Sequence, residues 1–155
     1  MGPSASRVRW PTWRGYRHAV ADSRIQVPPN CELTLGMTCV DKSVPGRTVW
    51  RMRADERFAN PAGIVQGGFI GAMADSAMGS AAVTWAKHAE RKVFASNVEM
   101  KTSFLAAAKV DSVLECTAHI VSGGSRVAFA EAEVVDDAGR IVARASSTYL
   151  FTERG

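Results

Sequence analysis

At 155 residues, 46% hydrophobic and 22% charged, the chain suits one globular domain with a sizeable core, and this composition excludes disorder throughout. The net charge of +4 is local: Arg7, Arg9, Arg14, Arg17 and Arg24 face Asp22 alone in the first 24 residues, while the remainder balances fourteen basic against fourteen acidic side chains. The basic character therefore belongs to a tail and not to the domain, and no nucleic-acid partner is expected.

Residues 1–30 are read as a basic N-terminal extension, ending at Pro28-Pro29-Asn30. Trp10, Trp13 and Tyr16 stand between its arginines, which admits an arm on nucleic acid or a membrane surface, but the run follows no recognised module. It lacks the apolar core of a secretory signal; its Arg-rich, acid-poor composition leaves an organellar transit peptide open. Residues 1–6 formally fit a myristoylation pattern, against which Pro3 counts.

Residues 31–155 are expected to form one domain. Residues 32–41 read as a strand, Val44-Pro45-Gly46 as a turn, and residues 47–54 as a second strand. An irregular link over 55–63 ends in Asn60-Pro61-Ala62-Gly63. Residues 65–86 are then rich in Ala and Met, contain no Pro, and predict one buried helix. Apolar residues occur nearly all round it, so other structure should wrap it, and its Gly and Ala content lets a sheet approach closely. Its length would suffice to cross a bilayer, but Gln66, Asp75, Ser76, Ser80 and Thr84 dilute its hydrophobicity and no membrane span is expected.

After a polar exit over 87–92, four strands are predicted at 93–104, 112–121, 125–135 and 141–151, with turns at Ser122-Gly123-Gly124 and Asp136-Asp137-Ala138-Gly139. In the first, Val98, Met100, Thr102 and Phe104 should share one face, with Glu99, Lys101 and Ser103 on the other. Two strands, a long helix and a four-stranded antiparallel meander make an α+β domain, one curved sheet packed around a helix. Ala128, Ala130 and Ala132 would let the sheet close on that helix.

Asp75 is the one charge within 65–86. Burying an unpaired carboxylate costs several kcal/mol, and such groups cluster at functional sites, although a backbone contact or a wet subunit seam would also house one. Cys31, Cys39 and Cys116 show no Cys-x-x-Cys spacing and read as reduced thiols of a cytoplasmic protein. His18, His88 and His119 lack metal-ligand spacing, and no nucleophile elbow, phosphate-binding loop or dinucleotide fingerprint occurs, so neither metal nor cofactor is expected.

A helix N-terminus offers unpaired N–H groups and a positive dipole end, so Gly67 and Gly68 form a candidate site for polarising a carbonyl. Asp75 lies eight residues further on, about 12 Å along the axis and about 80° around it by helix geometry. It cannot meet a carbonyl bound at Gly67 of its own chain. If both act on one substrate, two chains build the site.

The segment Asn60-Pro61-Ala62-Gly63-Ile64-Val65-Gln66-Gly67-Gly68, followed by Ala74-Asp75-Ser76-Ala77, resembles the signature of hotdog-fold acyl-CoA thioesterases of the phenylacetate-degradation type, within the 4-hydroxybenzoyl-CoA thioesterase superfamily. The resemblance covers residues 32–151. The family pattern reads Asn-x-x-Gly-x-x-His-Gly-Gly with Asp eight residues after the first paired glycine; Gln66 here replaces the His. Gln keeps a donor and an acceptor but does not titrate near neutrality. Residues 102–108 also lack the usual Asn-Phe-x-x-Pro wording.

The resemblance implies a homodimer or homotetramer hydrolysing acyl-CoA to free acid and CoA without a cofactor. The Gly67 N–H would polarise the thioester carbonyl, and Asp75 of the partner chain would activate water or attack directly. Asn60 would orient the water or Asp75. Gln66, Gly68 and Asn97 would bind substrate, Asn97 standing where relatives carry Ser or Thr near the carboxylate. Arg126, Lys109 and the 87–92 loop are candidates for the CoA phosphates. Met73, Met78 and Phe69 could line an acyl pocket, although such residues also serve as plain core. A non-catalytic acyl-CoA-binding hotdog protein is the alternative; a dehydratase ranks below it because His88 and His119 are poorly placed.

Overall fold

A computed structural model describes residues 28–154. Most of the basic extension, with Trp10, Trp13, Tyr16 and the pattern at 1–6, lies outside the described residues. Helix α1 (Asn30–Leu35) leads into β1 (Met37–Asp41) and β2 (Arg47–Arg53). A 3-10 turn (Glu56–Phe58) and a loop then precede the long helix α2 (Gly67–His88). Strands β3 (Val93–Phe104), β4 (Val113–Gly123), β5 (Val127–Val135) and β6 (Ile141–Glu153) complete the domain.

All six strands join one antiparallel sheet in the order β1-β2-β4-β5-β6-β3. This is the α+β arrangement expected, one sheet against one helix, which packs on β2 to β6. The expected four-stranded meander is corrected to three: β4, β5 and β6 follow one another, but β3 pairs with β6 at the far edge. Chain order and sheet order part here because the connection from β3 to β4 crosses to the other side of the meander.

A second correction falls at the start of the domain. Residues 32–35 are helical and not strand, because Glu32 and Leu35, one turn apart, bury a common face and Leu35 joins the core. Gly36 ends that helix in the left-handed region (φ 66°), a conformation glycine adopts without steric penalty. The strand therefore begins at Met37.

Helix α2 buries one face: Ile70, Met73, Ala74, Ala77, Met78, Ala81, Ala82 and Ala86 follow the helical period, while Ala72, Val83 and Trp85 remain exposed. Within one chain the helix is thus half-wrapped, where wrapping all round was expected. Facing it, the sheet presents Ala118, Ala128, Ala130, Ala132, Ala143 and Ala145, all buried. Alanine on both surfaces brings helix and sheet close, and Thr48 of β2 spans the gap by donating to the Ala77 carbonyl at 2.8 Å. Among the described residues no helix is long and apolar enough to cross a membrane.

The alanine seam has no room for larger side chains. Ala130→Leu, at a position 1% exposed, should lower stability by about 1–3 kcal/mol through overpacking, read as a shift in the urea midpoint at unchanged slope.

Candidate active site

The segment before α2 is fixed by its backbone. Val65 N–H donates to the Ala108 carbonyl at 3.0 Å and Gln66 N–H to Phe58 at 2.7 Å, while Phe58 stacks on Phe69 with ring centroids 4.3 Å apart. The turn itself is closed by Asn60, whose Oδ1 accepts from the N–H of Ala62 (2.9 Å) and of Ile64 (3.4 Å) and whose carbonyl accepts from Gly63. Asn60 thus closes the turn, and its amide Nδ2 makes no hydrogen bond among the described residues.

Gln66 caps α2 by position alone: its side chain makes no capping bond and is exposed. The N–H groups of Gly67 and Gly68 find no acceptor among the described residues. They border a cavity of about 530 Å³ that Asn60, Gln66, Phe104 and Leu105 also line. Such a site suits an oxygen carrying partial negative charge. Phe104 lies directly over Gly67, where a Cβ would fall 2.8 Å from the ring. Glycine here is a demand of close approach as well as of chemistry.

Asp75 is half-buried on α2, two turns away from that cavity, and does not line it. Asn97 Nδ2 donates to its Oδ1 at 2.5 Å and the Tyr149 hydroxyl reaches the same oxygen at 2.9 Å. Ser147 Oγ lies 2.9 Å from Asn97 Oδ1 and 2.8 Å from the Glu99 carbonyl, in reach of both as a donor. Burial, then the charge of Asp75 and the bond to it, push the Tyr149 phenol well above its ordinary pKa, so it stays a donor. Oδ2 of Asp75 takes no hydrogen bond among the described residues.

Asn97 reaches Asp75 because β3 is bulged. Asn97 pairs with Tyr149 and Glu99 with Thr148, leaving Val98 as the extra residue. By strict alternation Asn97 would share the face of Glu99 and Lys101; the bulge turns it to the helix side. Val98 is accordingly an outlier on the face expected for it, 61% exposed, whereas Met100, Thr102 and Phe104 keep their common phase.

Within one chain, then, Asn60, Gln66, Gly67 and Gly68 gather at the start of α2, and Asp75 and Asn97 meet elsewhere. Ser147 and Tyr149 were not singled out from sequence; their signal is a polar pair in the inward row of β6 otherwise held by Ala143, Ala145 and Phe151. Met73 and Met78 are closed core, while Phe69 borders an apolar hollow of about 420 Å³ beside Gly68, walled by Leu35 and Ala72. Of the expected cations, Arg91 pairs with Glu153 at 2.7 Å, Arg126 is exposed, and Lys109 is bridged to Ile64 beside the helix-start cavity. No cluster able to hold a metal ion occurs among the described residues.

Comparison with known proteins adds three likenesses and a family match. Residues 62–143 match the family described as the thioesterase superfamily. Acyl-coenzyme A thioesterase 13 of Homo sapiens is 25% identical over 120 residues, 77% of this chain and 83% of that protein. The E. coli PaaI protein from the phenylacetic acid degradation operon superposes with a TM-score of 0.72 at 20% identity, over 81% of this chain and 84% of its own. Streptococcus mutans smu.793, solved bound to acetyl CoA, superposes at 0.69 with 18% identity, over 76% and 90% of the two chains. These structural likenesses establish the hotdog fold.

Gly67→Ala should force the half-exposed Phe104 ring aside and lower stability by no more than about 1 kcal/mol, because the far end of the ring is free to swing away. In a Phe104→Ala background the same change should cost less than half as much, a difference that thermal or urea unfolding of the four proteins measures.

Proposed function

Because the chain belongs to the thioesterase superfamily and is a thioester hydrolase of hotdog fold, we propose that it hydrolyses an aryl- or fatty-acyl-CoA to free acid and CoA at a site shared by two copies of itself. The observation that carries this reading is the separation of two chemically complementary halves. N–H groups of Gly67 and Gly68 that have no acceptor among the described residues border one cavity, and Asp75, a carboxylate with one oxygen unengaged among those residues, lies two helical turns away. A partner chain must bring the second half to the first.

The surface for that partner is the free edge of β3, whose other edge pairs with β6. It exposes Phe94, Val98, Met100 and Phe104, the last 54% exposed. A long apolar edge strand left open invites pairing, and Asp75 sits directly beneath it through Asn97. A homodimer is the smallest complete unit in this reading; a tetramer would add no further chemistry.

At the composite site the thioester oxygen accepts from the Gly67 N–H of one chain. Oδ2 of the partner's carboxylate takes a proton from water as the water oxygen attacks the carbonyl carbon, and the carbonyl electrons move onto the oxygen held by Gly67. Collapse breaks the C–S bond and the departing thiolate takes the proton back from Asp75. Direct attack by Oδ2 would give an acyl anhydride with Asp75 and release CoA, and water would then free the acid. Both routes use the same oxygen. Asn97 holds the carboxylate, and the amide Nδ2 of Asn60, left over from its turn, orients water or substrate at the helix start. Gln66 and Gly68 line the substrate cavity, Lys109, bridged to Ile64 beside it, is a candidate partner for a CoA phosphate, and the hollow beside Gly68 offers apolar surface to the acyl group. The acetyl CoA ligand of the S. mutans protein and the acyl-coenzyme A thioesterase name of the human relative support an acyl-CoA substrate. Residues 31–155 act as one domain in this reading, with residues 1–30 as an extension and the cytoplasm as the working compartment.

CoA release from a panel of aryl- and fatty-acyl-CoA esters tests the proposal. Asp75→Asn should lower kcat by about 10²–10⁴-fold while far-UV circular dichroism and light-scattering mass stay those of the wild type. A wild type that binds the panel without releasing CoA would contradict hydrolysis and favour an acyl-CoA-binding role.

A further inference from the structure

We propose that Tyr149 is a positioning residue for the reaction: its buried hydroxyl, together with the Asn97 amide, locks Oδ1 of Asp75 so that Oδ2 is presented to the substrate. The inference rests on the reading of Asp75 as the group that drives attack. A carboxylate has two equivalent oxygens and a rotatable Cβ–Cγ bond, so a base on a helix can present either oxygen in a range of orientations. Two donors on one oxygen remove that freedom.

The geometry for this is built into the sheet. Tyr149 is 2% exposed and Ser147 3% exposed, both on the inward row of β6. The Tyr149 hydroxyl lies 2.9 Å from Oδ1 and 3.0 Å from the backbone oxygen of the same Asp75, so its one proton is held between two acceptors of a single residue. Tyr149 therefore senses both the side chain and the helix backbone that carries it. From the other side Asn97 Nδ2 donates to Oδ1 at 2.5 Å, and Asn97 is itself anchored by Ser147. The chain of contacts runs from β6 through β3 to the helix, and it leaves one carboxylate oxygen unengaged among the described residues. A tyrosine wanted for packing alone would be served by phenylalanine at this position, whereas the hydroxyl is what touches Asp75.

The arrangement assigns a role to kcat and not to substrate affinity, because the lock acts on the orientation of the reacting oxygen. It also makes Tyr149 and Asp75 a unit, whose losses should not add. The experiment is a double-variant cycle on the CoA ester turned over fastest, with kcat and KM measured for wild type, Tyr149→Phe, Asp75→Asn and the pair. Tyr149→Phe should lower kcat by about 10–100-fold with KM within about twofold, and should lower the residual rate of Asp75→Asn by less than about twofold. An unchanged kcat for Tyr149→Phe beside an inactive Asp75→Asn would overturn the assignment while leaving the role of Asp75 intact. Equal losses in both backgrounds would also overturn it, by reducing Tyr149 to packing. A fully active Asp75→Asn would instead remove the reading of Asp75 itself. Should Tyr149→Phe fail to fold, site-specific 3-fluorotyrosine at this position, which retains the hydroxyl and alters its donor strength, replaces it: a changed kcat at constant KM supports the lock and an unchanged one overturns it.

Discussion

Everything about the candidate site depends on how near α2 comes to the sheet. An aspartate side chain is short, and Asp75 can meet side chains of β3 and β6 because alanines line both the helix and the strands that face it. Bulkier pairs at Ala77, Ala81, Ala130 or Ala145 would push the helix outward, and a hydrogen bond of 2.5–2.9 Å does not survive an added methylene's worth of separation. The small-residue seam is thus more than economical packing. It sets the distance across which the carboxylate is gripped, and the Thr48 bond to Ala77 holds the same gap on the opposite side of the sheet.

A second consequence concerns what a single chain lacks. Asp75 is half-buried, Asn97 is exposed, and the strand above them is the open edge of the sheet. The amides of Gly67 and Gly68, unpaired among the described residues, open into a cavity that Phe104, from the end of that same edge strand, covers in part. Both halves of the proposed chemistry therefore border β3. A strand that carries Asn97 toward Asp75 near its middle and Phe104 toward Gly67 at its end is placed to bring a neighbour's halves into register with its own.

Much of this was legible in the residues. The buried helix, the paired glycines at its start, the lone Asp75 and the strands of the second half follow from composition and periodicity, with the helix found at Gly67–His88 against 65–86 expected. The departures have physical causes. Residues 32–35 alternate like a strand, yet Leu35 gains more by packing into the core through a short helix that Gly36 can end. Strand order is set by pairing across the sheet, so nothing local in 93–104 says that β3 joins β6. The site was harder to read than the fold because its key contact hangs on a bulge. One extra residue, Val98, reverses the facing of Asn97, and the sequence carries no glycine or proline to mark it, only Ser96 and Asn97, which also occur in regular strands. Tyr149 escaped notice for a related reason: an inward tyrosine on a strand reads as core until the partner of its hydroxyl is known.

The central claim, a site made from two chains, can be measured by complementation. Asp75→Asn subunits, slowed by loss of the carboxylate, and Gly67→Val subunits, whose added side chain crowds the space between the helix-start N–H groups and Phe104, are unfolded together, refolded at equal ratio and assayed for CoA release beside each variant refolded by itself. In a symmetric dimer whose sites each take Asp75 from one chain and Gly67 from the other, every mixed dimer holds one intact site, and the mixture should recover about a quarter of wild-type activity. If a site takes both residues from one chain, no mixed dimer holds an intact one, and a mixture as inactive as its parents, with mixed dimers verified by native mass spectrometry, would contradict the account.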